Sequence, residues 1–276
     1  MHIPILVGVT VLVALFFDFI NGFHDSANSI ATVVATRVLR PFHAVIWAAV
    51  FNFIAAVFLG TGVASSISSG YVDPRIVTPV LVLAGLLGAI TWNLITWWLG
   101  LPSSSSHALI GGYAGAAIAK DGLEGLVHGK WGTTIAFIAL SPMIGMALSY
   151  LLMVGVHWMF RHTPPARSDK FFRKSQLLSS ALFSCAHGTN DGQKTMGIIT
   201  ALLVAAGLQK DTHIQTWVIV AASIAIALGT MSGGWRIVRT MGSGLTRLKP
   251  RGGFCAETGA AISIFFPTFL GLPVST

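Results

Sequence analysis

The sequence predicts an all-α integral membrane protein made of two inverted-topology repeats, with broken helices or re-entrant segments at the membrane midplane. Three observations carry that reading. Of 276 residues, 54% are hydrophobic and only 9% charged, where soluble domains carry roughly 25%; the mean hydropathy is +0.76. Apolar stretches near the roughly 20 residues that span a bilayer recur along the chain. Two polar signatures each occur twice, in the same order and at matched spacing.

Taken in order, the first span covers residues 3–20. It is not a cleavable signal peptide, because it lacks a basic start and runs into polar residues where a small-residue cleavage site belongs. Its continuation through NGFHDSAN (Asn21 to Asn28) ends at Arg37 and Arg40. Further spans are expected at 42–62, 76–99, 101–119, 131–160, 177–208, 215–235 and 254–272. The net charge of +8 sits largely in two basic blocks, FRHTPPARSDKFFRK and WRIVRTMGSGLTRLKPR. Basic loops stay cytoplasmic, which puts both blocks inside, the N-terminus outside and YVDPR outside. No recognition helix or aromatic-interleaved basic strand accompanies them, so nucleic acid is not an expected partner. Trp97, Trp98, Trp131, Trp158, Trp217 and Trp235 lie near span ends, where interfacial tryptophans belong. Cys185 and Cys255 have no metal-ligand spacing and read as small packing residues.

The repeats appear when FINGFHDSANSIATVVATRVL (19–39) is placed over FSCAHGTNDGQKTMGIITALL (183–203). Asp25 then falls on Asp191, Gly22 on Gly188, His24 on Asn190 and Asn28 on Lys194. Likewise GAITWNLITWWLGLPSSS (88–105) lies over GAAISIFFPTFLGLPVST (259–276), with Gly-Leu-Pro in both. The expected organisation is a first repeat at 1–160, a basic linker at 161–176 and a second repeat at 177–276. An odd number of crossings before the linker inverts the second copy, an arrangement common in secondary transporters. That copy reads as incomplete, lacking a counterpart of the His107 segment.

A membrane-embedded Asp costs roughly 2.5–3.5 kcal/mol on insertion scales, so Asp25 and Asp191 at equivalent positions ask for a function. Gly22, Gly188 and Gly192 suggest that both polar runs are unwound, with half-helices starting at 29–39 and 195–208 whose free N–H groups face an anion. Pro102 and Ser103 to Ser106 add a hydroxyl-bearing helix start, and Ser275 and Thr276 repeat that chemistry. Hydroxyls, amides and Lys194 suit a tetrahedral oxyanion. The acids then hold a coupling cation or carry the proton themselves, with Asn21 and Asn190 beside them and His24 and His187 as proton carriers. The plainer readings are a structural acid pair, core histidines, a snorkelling Lys194, a turn-capping His107, an Asp18 that only bonds broken backbone, and a Glu257 that complements a helix start.

NGFHDSAN, AHGTNDGQK, GLPSSSSHALIGG and GLPVST together resemble the paired signatures of the inorganic phosphate transporter (Pit) family. The resemblance implies phosphate import by cation symport through a site shared by both repeats. It assigns phosphate binding to Asp25, Asn28, Ser104, Ser105, Ser106 and Asp191, with Ser275 and Thr276 from the second copy; Lys194, aligned with Asn28, joins them. His24 stands where sodium-coupled members carry Asn, so the chain is most similar to the bacterial proton-coupled branch of the inner membrane. There the substrate is often a neutral complex of phosphate with Mg2+ or another divalent cation. No organic cofactor, structural metal or catalytic residue is expected; a homodimer is compatible. A sodium-coupled symporter, a passive anion channel and a membrane-embedded phosphate-handling enzyme are the alternatives. A channel would spread its polarity along several spans, and an enzyme lacks any nucleotide loop or metal motif here.

Overall fold

The computed structural model describes residues 3–68, 71–244, 248–272 and 274. The chain order is α1 (Ile3–Ala35), α2 (Pro41–Phe58), α3 (Gly62–Ser68), α4 (Pro79–Leu99), α5 (Ser105–Asp121), α6 (His128–Met159), α7 (Pro165–Ala205), α8 (Thr216–Ser232), α9 (Trp235–Gly244) and α10 (Pro250–Phe269). Four stretches, Pro4–Ala35, Pro41–Phe58, Pro79–Leu99 and Trp131–Met159, are long and apolar enough to cross a membrane. A fifth arises if α8 and α9, bent by 64° at their junction, count as one span. The chain is a multi-pass membrane protein. α7 begins at Pro165, so much of the basic segment after α6 is helical.

Every residue from Ala186 to Leu203 of α7 is buried. The helix is enclosed by α2, α3, α8, α10 and α1, which is how a run as polar as AHGTNDGQK can lie inside an apolar protein.

Packing between the halves is reciprocal. α1 lies against α8, and α7 lies against α2. The buried positions of α8 (Val218, Ala222, Ser223, Ile226, Gly229, Thr230) match those of α2 (Ala44, Ala48, Ala49, Asn52, Ala55, Ala56) at one constant shift. Under that shift Asn52 pairs with Ile226, and the two equivalent glycines meet these two residues. A Cβ on Gly22 would lie 2.1 Å from the Ile226 carbonyl oxygen, and one on Gly188 would lie 2.4 Å from that of Asn52. The short helices are capped crosswise. Ser26, after the first motif Asp, accepts from Gly234 N at 2.6 Å where α9 begins. Gln193, after the second, accepts from Val63 N at 2.8 Å where α3 begins.

These glycines correct the expectation of unwound motifs. Asn21 to Asn28 lie within α1 and Asn190 to Lys194 within α7, both helical throughout, and no half-helix starts at 29 or 195. Uninterrupted helix satisfies its own backbone, whereas a break in hydrocarbon leaves N–H and C=O groups unpaired. The glycines instead remove side chains where two helix backbones touch. Chain breaks occur at the Gly-Leu-Pro turns, where Gly100 (φ 67°) and Gly271 (φ 71°) adopt the left-handed conformation that favours glycine.

Candidate functional site

Because α7 is continuous, His187, Asp191 and Lys194 stand one turn apart on a single face, at i, i+4 and i+7. Lys194 Nζ donates to Asp191 Oδ1 at 2.5 Å, and His187 Nε2 lies 3.3 Å from Asp191 Oδ2. Neither His187 ring nitrogen makes an aligned hydrogen bond. Asp25 joins this face from α1. One ligand atom each from Asp25, His187 and Asp191 lies within 4.8 Å of the others, and all three residues are buried. Asp25 Oδ2 has no hydrogen-bond partner. Two carboxylates this close repel each other when both are ionised, a repulsion that a proton or a cation placed between them would offset.

His24 packs beside Asp25, with Nδ1 3.0 Å from Asp25 Oδ1 and Nε2 3.0 Å from Thr96 Oγ1. The Thr96 hydroxyl also lies 3.0 Å from the Trp92 carbonyl. Asn190 occupies the equivalent place in α7 and makes the equivalent bond, donating to Thr268 Oγ1 at 2.7 Å.

Both Gly-Leu-Pro turns come to this site. From the first, Ser104 caps α5 by accepting from His107 N at 3.3 Å. Ser106 Oγ lies 3.4 Å from Asp191 Oδ1 and receives a short bond from Lys194 Nζ. Ser105 is buried with its hydroxyl unpartnered. From the second, the Val274 carbonyl accepts from Lys194 at 2.8 Å, and Val274 N donates to Asn190 Oδ1 at 3.4 Å. Lys194 therefore ties the acid of α7 to both turns. The site's helix N-terminus is that of α5, not those expected inside the motifs. Ser275 and Thr276 lie outside the described residues.

Two further expected site residues lie one turn either side of the His24–Asp25 pair on α1. Asn28 lines a cavity of about 380 Å³ between α1, α6, α9 and α10, with Ser141, Ser149 and Ser263. Asn21 is buried one turn before His24, with its Oδ1 unpartnered. Thr96 and Thr268 were not expected; they lie four and three residues before the glycines of the two Gly-Leu-Pro turns, so the repeat alignment does not superpose them. Asn93, a lone polar residue of the apolar α4, is buried with both amide atoms unpartnered. Glu257 is not a mere helix-end charge: it accepts from Gln176 at 3.0 Å and from Thr32 and Ser179, joining α1, α7 and α10. Asp18 bonds no broken backbone; Thr195 Oγ1 of α7 donates to it at 3.0 Å.

The chain matches the phosphate transporter family over residues 21–276. It is 55% identical over 274 residues to a Rhizobium meliloti (strain 1021) protein named "Probable low-affinity inorganic phosphate transporter", covering 99% of this chain and 82% of that one. A Bacillus subtilis (strain 168) protein of the same name is 49% identical over 276 residues, with the same coverage of each chain. Among solved structures, one described as "The sodium-dependent phosphate transporter" matches with a TM-score of 0.89, covering 98% of this chain and 86% of that one. At 23% identity that likeness is one of fold.

Proposed function

The chain belongs to the phosphate transporter family, and from that premise we propose that it imports inorganic phosphate by symport with protons through alternating access across a bacterial inner membrane. Its N-terminus lies outside, and its two repeats are inverted. The observation that carries this reading is the convergence of Asp25, His187 and Asp191 with the serine-bearing start of α5, through Ser106 and Lys194.

Phosphate takes the Ser104 to Ser106 hydroxyls and the free N–H groups at the start of α5. Lys194 turns from Val274 and Ser106 toward it. An oxyanion does not approach two ionised carboxylates unless positive charge comes with it, so loading the acids precedes or accompanies phosphate. Protons supply that charge, with His24 placed 3.0 Å from Asp25 and His187 3.3 Å from Asp191 as the groups to carry them. Phosphate arriving as a neutral complex with Mg2+ would meet the same requirement.

The test is labelled-phosphate uptake into proteoliposomes under an imposed pH gradient or an imposed sodium gradient, with and without Mg2+. Concentrative uptake driven by the pH gradient alone is the expected result. Sodium coupling is the second reading, favoured by the function described for the structural neighbour. Uptake driven only by sodium would establish it, and no driven uptake in correctly inserted protein would end both.

A further inference from the structure

A third buried acid lies outside the site described above. Asp18 stands on α1 seven residues, about two turns, before Asp25, at 0% exposure. Its Oδ1 accepts from Thr195 Oγ1 at 3.0 Å, while its Oδ2 is buried and unpartnered. Asn21, one turn on along the same face, directs its amide N–H group toward the Asp18 carboxylate; it is 1% exposed, and its own Oδ1 has no partner among the described residues. Thr195 is fully buried one turn beyond Asp191 on α7.

The charged groups that act on Asp18 are Asp191, which repels it, and Lys194. Lys194 is already committed to Asp191, Ser106 and Val274. Asp18 thus has no cation of its own among the described residues, in a setting where an unpaired carboxylate is costly.

Nor does the fold demand an acid here. Shifting by the interval from Asp25 to Asp191 carries Asp18 to Ser184 and Asn21 to His187, and carries Thr195 back to Ser29. The equivalent place in the other half therefore holds a neutral serine, also buried and unpartnered. The same packing accommodates a hydroxyl, so the carboxylate marks a chemical use.

We propose that Asp18, Asn21 and Thr195 form a second cation site, distinct from the Asp25–His187–Asp191 pocket, for a small hard monovalent cation of the Na+ type. All three donors are oxygens (carboxylate, amide carbonyl and hydroxyl), the set that hard cations select. The central pocket differs in containing an imidazole. With the N-terminus outside, the second site lies on the external side of the first, where an arriving cation meets it before the centre. That placement rests on the proposed transport reading; the binding itself does not.

The experiment is equilibrium binding of radiolabelled Na+ to the purified chain in detergent, without phosphate, at neutral pH. Wild type is expected to bind one Na+ that Asp25→Asn retains. Asp18→Asn and Asp18→Ser should weaken it at least about tenfold, the scale of losing one charged ligand, and Thr195→Val less. Ser is the residue of the counterpart position, so Asp18→Ser guards against a folding failure, checked by elution profile and thermal unfolding. No Na+ binding by wild type, binding unchanged in both Asp18 variants, or a site that answers to pH and not to Na+ would each overturn the proposal. Failed phosphate uptake with Na+ binding intact would sink the symport reading alone.

Discussion

Asp25 and Asp191 occupy equivalent positions in the two halves, yet their surroundings have diverged. Asp191 is compensated from its own helix, with Lys194 at 2.5 Å, His187 at 3.3 Å and Ser106 beside it. Asp25 has His24 at 3.0 Å and an unpartnered second oxygen. The frame around them has not diverged: glycine contacts, swapped caps and the bonds to Thr96 and Thr268 recur on both sides. The packing contacts are alike on the two sides, while one acid is charge-balanced by a lysine on its own helix and the other is not.

The largest effect should separate those roles. Asp25→Asn and Asp191→Asn are both expected to abolish driven phosphate uptake. Only the second should destabilise the protein, because it leaves Lys194 buried without its carboxylate, a loss of about 3–5 kcal/mol where one partner of a buried pair is removed. Asp25→Asn removes a charge that has no lysine or arginine bonded to it, so its unfolding temperature in detergent should stay at or above that of wild type. Adding Lys194→Met to Asp191→Asn should restore stability but not uptake. Equal unfolding temperatures for the two single variants would erase the distinction between anchor and open acid.

The glycine contacts come next, and here the halves should behave alike. Gly22→Ala and Gly188→Ala each drive a Cβ against a backbone carbonyl oxygen, at 2.1 and 2.4 Å. Overpacking typically costs about 1–3 kcal/mol and occasionally more; backbone cannot step aside as a side-chain tip can. Thermal unfolding of both variants, measured side by side, tests whether the reciprocal packing is as balanced as the shared register of α2 and α8 implies. A large loss in one and none in the other would mean that one interface yields.

These glycines also mark where sequence reading ended. Composition and periodicity were enough for an all-helical membrane protein, and the repeat was enough to bring Asp25, Asp191, Ser106 and Lys194 toward one place. A glycine in a polar run has two physical meanings, a hinge or a close contact, and the sequence of α1 alone does not choose between them. The choice depends on what lies opposite: Ile226 is 204 positions away from Gly22 in the chain. Thr96 and Thr268 escaped notice for a related reason. Threonine in an apolar span bonds its own preceding turn, as both do, and only the fold reveals the second bond to His24 or Asn190. Asn28, aligned with Lys194, lines the cavity beside α6, a place that only the fold reveals.

A smaller effect probes the threonines. Thr96→Val removes the acceptor of His24 Nε2, and Thr268→Val removes that of Asn190; losing one buried hydrogen bond costs about 1–3 kcal/mol when the other group stays unpaired. Stability should fall comparably in the two. Uptake should differ, because in the proposed mechanism His24 carries a proton beside Asp25, whereas the Asn190 amide has no titratable group. Thr96→Val is expected to shift the pH dependence of uptake, whereas Thr268→Val should lower its rate without moving the profile. Identical pH profiles would argue that the His24–Asp25 proton plays no part in coupling.

The smallest effect belongs to an ion pair of similar length set in water. Arg75 donates to Asp73 at 2.5 Å, as short as the Lys194–Asp191 contact, yet Arg75 is almost fully exposed. Hydrogen bonding from the Arg75 guanidinium, then from its backbone N–H, holds the Asp73 carboxyl below its ordinary value. A lowered folded-state value contributes stability that is complete above the ordinary carboxylate range and is lost only as the pH falls through the lowered one. At neutral pH that contribution is therefore whole, but solvent and salt screen it, and exposed pairs contribute little. Arg75→Ala should leave unfolding temperature and uptake at neutral pH indistinguishable from wild type. Whatever small advantage the pair gives wild type is present at neutral pH and is lost as the pH falls through the lowered value, so the two proteins should converge in acid. The same separation of charges that anchors α7 when buried is thus expected to be nearly silent in the loop, and a marked loss in Arg75→Ala would mean that this loop does more than join two helices.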